Sequence, residues 1–162
     1  MARPNIAPAR EMRLTMRVLG HWREAAGDRR YPRRADLNPA RLGDDWQNCL
    51  LIAVDPVAEK SSFLYVGQNL RPQGVAYEGR RLGDCAEDTV LHRATTYLSR
   101  VLAKRVPISV GGAATHLGAP IVFRSVLLPM SETGDKVDAV FGAANYREIV
   151  LTEEIHAAGP PG

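Results

Sequence analysis

The sequence predicts an α+β fold built on an antiparallel sheet, and three observations point to it. The last third, residues 121–146, holds two strand-length runs joined by a polar turn that contains Gly134, which fixes a closing hairpin. Upstream, residues 49–54 and 62–66 are short apolar runs facing each other across the polar loop 55–61, the pattern of a second hairpin. Between the hairpins Val90, Leu91, Ala94, Leu98, Val101 and Leu102 recur at helical spacing.

Residues 1–9 carry Pro4 and Pro8 and little to bury, so they read as a flexible leader. Over residues 10–27, Met12, Met16, Leu19, Trp22 and Ala26 form one apolar stripe among arginines, giving an amphipathic helix that Gly27 stops. Residues 28–48 form a basic, proline-punctuated connector in which Asn38-Pro39 caps a single helical turn. The core is expected over 49–146. Residues 67–84, rich in glycine and proline without clear periodicity, suit short turns folded over a sheet face. Asp84 to Glu87 has capping-box spacing, so one long helix is expected from there to Lys104, ended by Pro107. A strand begins at Ile108 and is expected to break at Gly111-Gly112. In the final strand Val137, Ala139, Phe141 and Ala143 share one face while Asp138, Val140, Gly142 and Ala144 share the other. Both faces are apolar, so a second layer, from the N-terminal helix or a second subunit, is expected outside. Residues 147–162 read as a tail.

A chain of 162 residues buries enough surface for one core without disulfide or metal staples. With 45% hydrophobic residues it is not a disordered chain, and no apolar run approaches the roughly 20 residues a membrane span needs. No signal-peptide pattern opens it, so a cytoplasmic location is expected. Cys49 and Cys85 make no metal spacing and read as buried thiols. The net charge of +3 is concentrated in the first third. Arg29-Arg30-Tyr31 to Arg33-Arg34 invites a nucleic-acid reading, but Asp28, Asp36, Asp44 and Asp45 dilute it and a salt-bridged connector is the simpler expectation.

Five short stretches carry a resemblance. They are Val18-Leu-Gly-His-Trp22-Arg, Pro32-Arg-Arg-Ala-Asp36-Leu-Asn-Pro39, Phe63-Leu-Tyr65-Val-Gly67, Tyr77-Glu-Gly79-Arg-Arg-Leu82 and Leu128-Pro129 to Val137-Asp138. In that order they resemble a family of small stand-alone PAS-fold proteins common in alphaproteobacteria, over roughly residues 14–146. The resemblance implies a five-stranded antiparallel sheet with helices on one face, and an N-terminal helix on the other face or at a dimer interface. It also implies sensing of a small ligand or a protein partner, and a bacterial homodimer with Met12, Met16, Leu19 and Trp22 at its interface. The segment from Gln68 to Gly74 departs from the more apolar helix expected there.

Chemistry-bearing clusters are scarce. His21, His92, His116 and His156 have no ligand spacing, and no phosphate-binding loop with its lysine occurs. A flavin photoreceptor of this fold would need its reactive cysteine on a helix, whereas Asn48-Cys49-Leu50 lies on a predicted strand. His92 on the long helix is the candidate for haem ligation, yet it sits at the edge of the apolar face, so a hydrogen-bonding or exposed histidine is expected. Neither a metal nor a cofactor is assigned.

The pocket candidates are Tyr65, Leu70, Tyr97, Leu98, Phe123 and Phe141, which a packed core would use equally well. Arg124, between apolar neighbours, would bind a ligand carboxylate or phosphate, with pairing to a carboxylate such as Asp138 the simpler expectation. The expected function is a single-domain sensory or regulatory protein without catalysis, whose output passes through a partner, with no attached output module. Two alternatives stand beside it: an isomerase- or dehydratase-like enzyme on a cone-shaped α+β fold, which lacks an obvious acid–base pair here, and an interaction module with a filled core.

Overall fold

The structure is a computed structural model that describes residues 6–149, with side chains from Arg13 onward. Five antiparallel strands, β1 (Cys49–Ala53), β2 (Ser62–Val66), β3 (Ile108–His116), β4 (Ala119–Met130) and β5 (Ala139–Glu148), form one sheet in the order β2-β1-β5-β4-β3. The expected closing hairpin is β4–β5. It pairs Met130 with Ala139 and Ile121 with Glu148, and β5 runs two residues past the expected end of the core.

Helix α1 (Ile6–Ala26) lies along one face of the sheet, against β4 and β5. It starts within the expected leader, of which residues 1–5 lie outside the described residues. Leu14, Val18, Trp22 and Ala26, spaced by four, are the buried stripe. Gly27, at φ 60°, ends the helix by donating its N–H to the Arg23 carbonyl, the left-handed C-terminal geometry glycine allows. The connector after it is stapled by Asp36, which accepts the Arg33 N–H at 2.8 Å and pairs with Arg29. Tyr31 is buried and donates its hydroxyl to the Arg105 carbonyl at 3.1 Å, so the aromatic of the basic stretch is not offered to a nucleic-acid base. Asn38 caps the short α2 (Pro39–Leu42), as its sequence predicts. The next turn touches the sheet closely: a Cβ at Gly67 would lie 2.2 Å from the Gln47 carbonyl oxygen.

On the opposite face lie α3 (Val90–Thr95) and α4 (Leu98–Lys104), where the spacing predicts one long helix. Two corrections follow. The helix begins at Val90, not Asp84, because Thr89 is the cap: its hydroxyl accepts the His92 N–H at 3.1 Å. It breaks after Thr95 because threonine hydroxyls turn back onto the backbone. Thr95 donates to the Leu91 and His92 carbonyls, and Thr96 donates to His92 at 2.9 Å, so the hydroxyls share those acceptors with the backbone N–H groups where the helix breaks.

The expected break at Gly111-Gly112 does not occur either. β3 runs through both glycines in unbroken pairing with β4, and Gly111 leaves room for the Arg124 side chain, which a Cβ there would meet at 2.7 Å. The β3–β4 turn is only Leu117-Gly118, both at positive φ, the geometry that matches strand twist.

Candidate functional site

Register decides what can line a pocket. Directly paired residues share a face, so Phe123, opposite Tyr146, points to the α3–α4 side. Phe141 pairs with Leu128 and Leu51, and Leu51 with Tyr65, so these point to the α1 side. There Tyr65 stacks on Trp46 with ring centroids 4.2 Å apart and donates to the Trp46 carbonyl, and Phe141 meets the edge of His21. Burial pushes the Tyr65 hydroxyl up to about 12, with the nearby Cys49 adding to the shift.

The expected pocket set therefore divides. Leu98 and Phe123 are fully buried between α4 and the sheet, and Leu70 is fully buried in the core. Tyr97 sits at the helix break, half-buried, with Arg100 over its ring. Tyr65 and Phe141 lie on the other face. Arg124 is exposed on that same outer face and lines no interior space. Its pairing with Asp138 is also excluded: Arg124 sits opposite Asn145, while Asp138 lies beyond the Met130–Ala139 pair, roughly 20 Å away along the strand at about 3.3 Å per residue. Asp138 instead accepts the Glu132 N–H at 2.9 Å.

The proposed dimer stripe divides as well. Trp22 is buried in its own protomer and donates Nε1–H to the Pro129 carbonyl at 2.8 Å. Leu19 is partly buried and Met16 is exposed; the Met12 side chain lies outside the described residues.

Between α3–α4 and the sheet the space is occupied. Leu50, Ile52, Phe63, Leu91, Leu98, Phe123 and Leu127 have no more than 1% of their surface exposed. Beside the helix break is a cleft of about 160 Å³ lined by Ala58, Glu59, Leu82, Gly83, His92, Thr95, Thr96, Leu98 and Ser99. His92 thus faces this cleft and not the sheet, the wrong side to ligate a haem held against the sheet. Clefts of about 470 and 540 Å³ open on the surface at the two ends of the sheet, one beside Arg105 and Lys136, the other beside Asn69 and Arg147.

Two histidines have roles their spacing does not announce. His116 Nδ1 accepts the Val90 N–H at 3.0 Å, docking the start of α3 on the β3–β4 hairpin, and its ring packs on Tyr146. Asp88 strengthens that joint by accepting the Gly118 N–H and pairing with Thr115, while its carbonyl accepts the Leu117 N–H. His21 Nε2 accepts the Asn38 N–H at 3.1 Å, joining α1 to the connector. Burial lowers both imidazole pKa values, and an imidazole that accepts a hydrogen bond must be neutral. Thr89 was detectable, as a capping residue just before an apolar helical run; the histidine roles needed the register.

Cys49 and Cys85 are free and buried, and burial raises both thiols. Cys49 opens β1 and points to the Asp45 carbonyl, so no reactive cysteine of the helix-borne photoreceptor kind is formed there. Among the described residues no cluster of His, Cys, Asp and Glu could hold a metal.

A protein-family model described as PAS domain matches residues 10–145. The chain belongs to the PAS-domain family. That family consists of sensory and regulatory domains, and the sheet order and the helices placed here agree with it. Among solved structures, the PAS domain described here is similar to the light-state blue-light photoreceptor Aureochrome1 LOV, at 13% identity, covering 69% of this chain and 96% of that one with a TM-score of 0.44. It is also similar to the PAS domain of Bordetella pertussis BvgS, at 15% identity, covering 70% of this chain and 84% of that one with a TM-score of 0.40. No curated protein matches the chain. No helix among the described residues is long and apolar enough to cross a membrane.

Proposed function

We propose that this PAS domain is a cytoplasmic, homodimeric regulatory module that signals through a protein partner, without catalysis and without enclosing a cofactor-sized ligand. The observation that carries the reading is the filled space between α3–α4 and the sheet. The cleft at the helix break, about 160 Å³, is below the roughly 300 Å³ at which small-molecule sites begin, and the clefts of about 470 and 540 Å³ are open surface features rather than enclosed space. Thermal-shift screening against haem, flavins, nucleotides and small acids, with native mass spectrometry of the purified protein, tests it. No shift and no co-purifying mass are expected; a stoichiometric bound mass would overturn it.

A second reading rests on the same cleft. Glu59, His92 and Ser99 set polar groups in a mostly apolar lining, which suits a ligand of a few non-hydrogen atoms. A shift produced by a small acid and abolished in His92→Ala would favour that reading.

A further inference from the structure

The two edges of the sheet are treated differently. At the β2 edge the chain covers itself: Phe63 donates its N–H to the Arg80 carbonyl, Gly79 donates to Phe63, Leu82 donates to Ser61, and Ser62 bridges Arg81. At the other edge is β3, nine residues long. The two-residue turn makes His116 and Ala119 a hydrogen-bonded pair, so Ala114, Gly112, Val110 and Ile108 also direct their backbone groups to β4. Ser109, Gly111, Ala113 and Thr115 therefore point theirs outward. Asp88 occupies the Thr115 corner, and among the described residues nothing pairs with the backbone of Ser109, Gly111 or Ala113.

β3 itself lacks the features that usually deter strand pairing, and the charged side chain that lies across Gly111 on the outer face is Arg124 of β4. β3 carries no charged side chain, no proline and no bulge, and its pairing with β4 is continuous over nine residues. The residues that face outward are small and exposed. An antiparallel copy fits in a register that sets Gly112 opposite itself, Gly111 of one copy opposite Ala113 of the other, and Ser109 opposite Thr115. Gly111 and Ala113 then meet each other's outward-pointing backbone groups, Ser109 falls beside the Thr115 corner that Asp88 holds, and the like charges nearest each other are the two Arg124 side chains, one over each Gly111. On α1, Trp22 is already buried against its own sheet and is not free to form an interface, while Met16 stays exposed.

We infer that the open edge of β3 pairs with β3 of a second copy of this chain, joining the two sheets. The inference rests on the homodimer of the preceding reading and assigns its interface to β3. Sedimentation velocity across a dilution series, with site-resolved amide exchange, tests it. The wild-type chain is expected to be a dimer in which the Ser109, Gly111 and Ala113 amides become protected as concentration rises. Ala113→Pro removes an N–H that points away from β4, leaving the β3–β4 ladder intact, and should weaken the dimer by about tenfold or more. Ala113→Lys, the edge-blocking substitution, should do the same with unchanged circular dichroism, and stands in if the proline variant fails to fold. A monomer at every concentration overturns both the interface and the homodimer. A dimer that survives Ala113→Lys but dissociates in Met16→Glu overturns the β3 interface alone.

Discussion

The two faces of this sheet are held by different chemistry. On the α3–α4 side the contact is aliphatic and aromatic, with Leu91, Leu98, Phe123 and Leu127 sealed from water. On the α1 side the described apolar stripe is accompanied by directional bonds at several points: Trp22 to Pro129, His21 to Asn38, and Arg17 to Asp45 through two hydrogen bonds of 2.7 and 2.8 Å. Apolar packing responds weakly to salt and protons, whereas hydrogen-bonded and ionic ties respond to both. Solution conditions or a partner's charges can therefore loosen the α1 layer and, at His116, the start of α3, while the packed interior between α3–α4 and the sheet keeps the fold.

Four measurements can break or sharpen that contrast. The largest effect is expected from Phe123→Ala, which empties the inner layer and should cost about 3–5 kcal/mol in urea unfolding; a loss under about 1 kcal/mol would mean that layer is loosely packed. Trp22→Phe keeps most of the burial but orphans the Pro129 carbonyl, and should lower stability by about 1–2 kcal/mol.

Third is acidification. His21 and His116 have pKa values below the ordinary 6.5, so the folded state binds protons less readily than the unfolded state. Their stabilisation is complete above that pH and is lost as pH falls below it. Glu24 and Arg41 face His21, and Asp88 and Glu148 face His116; the carboxylates oppose the depression, and Arg41 adds to it. Chemical denaturation from pH 7.5 to 5.5 should show this slope, and the double variant His21→Gln and His116→Gln should flatten it. A slope unchanged in that variant would remove the histidines from the account. The smallest effect is expected from Arg17→Ala, about 0.2–1 kcal/mol at low ionic strength and less at high salt, because the pair with Asp45 is exposed on the arginine side.

The strands were legible as short apolar runs bounded by turn residues, as in residues 49–54 and 62–66. The register was not. The turn between β4 and β5 spans eight residues, too long for its geometry to fix the pairing, and a shift of one residue exchanges the faces. That is why Phe123 and Phe141, one pocket by composition, lie on opposite sides. The helix break escaped detection for another reason: Val90 to Leu102 keeps its apolar spacing through Thr95 and Thr96, whose hydroxyls act on the backbone without disturbing the pattern. The filled interior could not be read at all, since a cavity and a core are lined by the same residue types.

Gly67 closes the Phe63-Leu-Tyr-Val-Gly67 stretch that first suggested the family, and the Gln47 carbonyl oxygen lies 2.2 Å from where its side chain would begin. Two chain segments are in backbone contact there, with room for hydrogen and nothing larger. A related sequence carrying any other residue at this place must carry a rearranged turn before β1, so this one position separates chains that share the turn from those that share only the sheet. It offers a better criterion for grouping distant relatives than overall identity does.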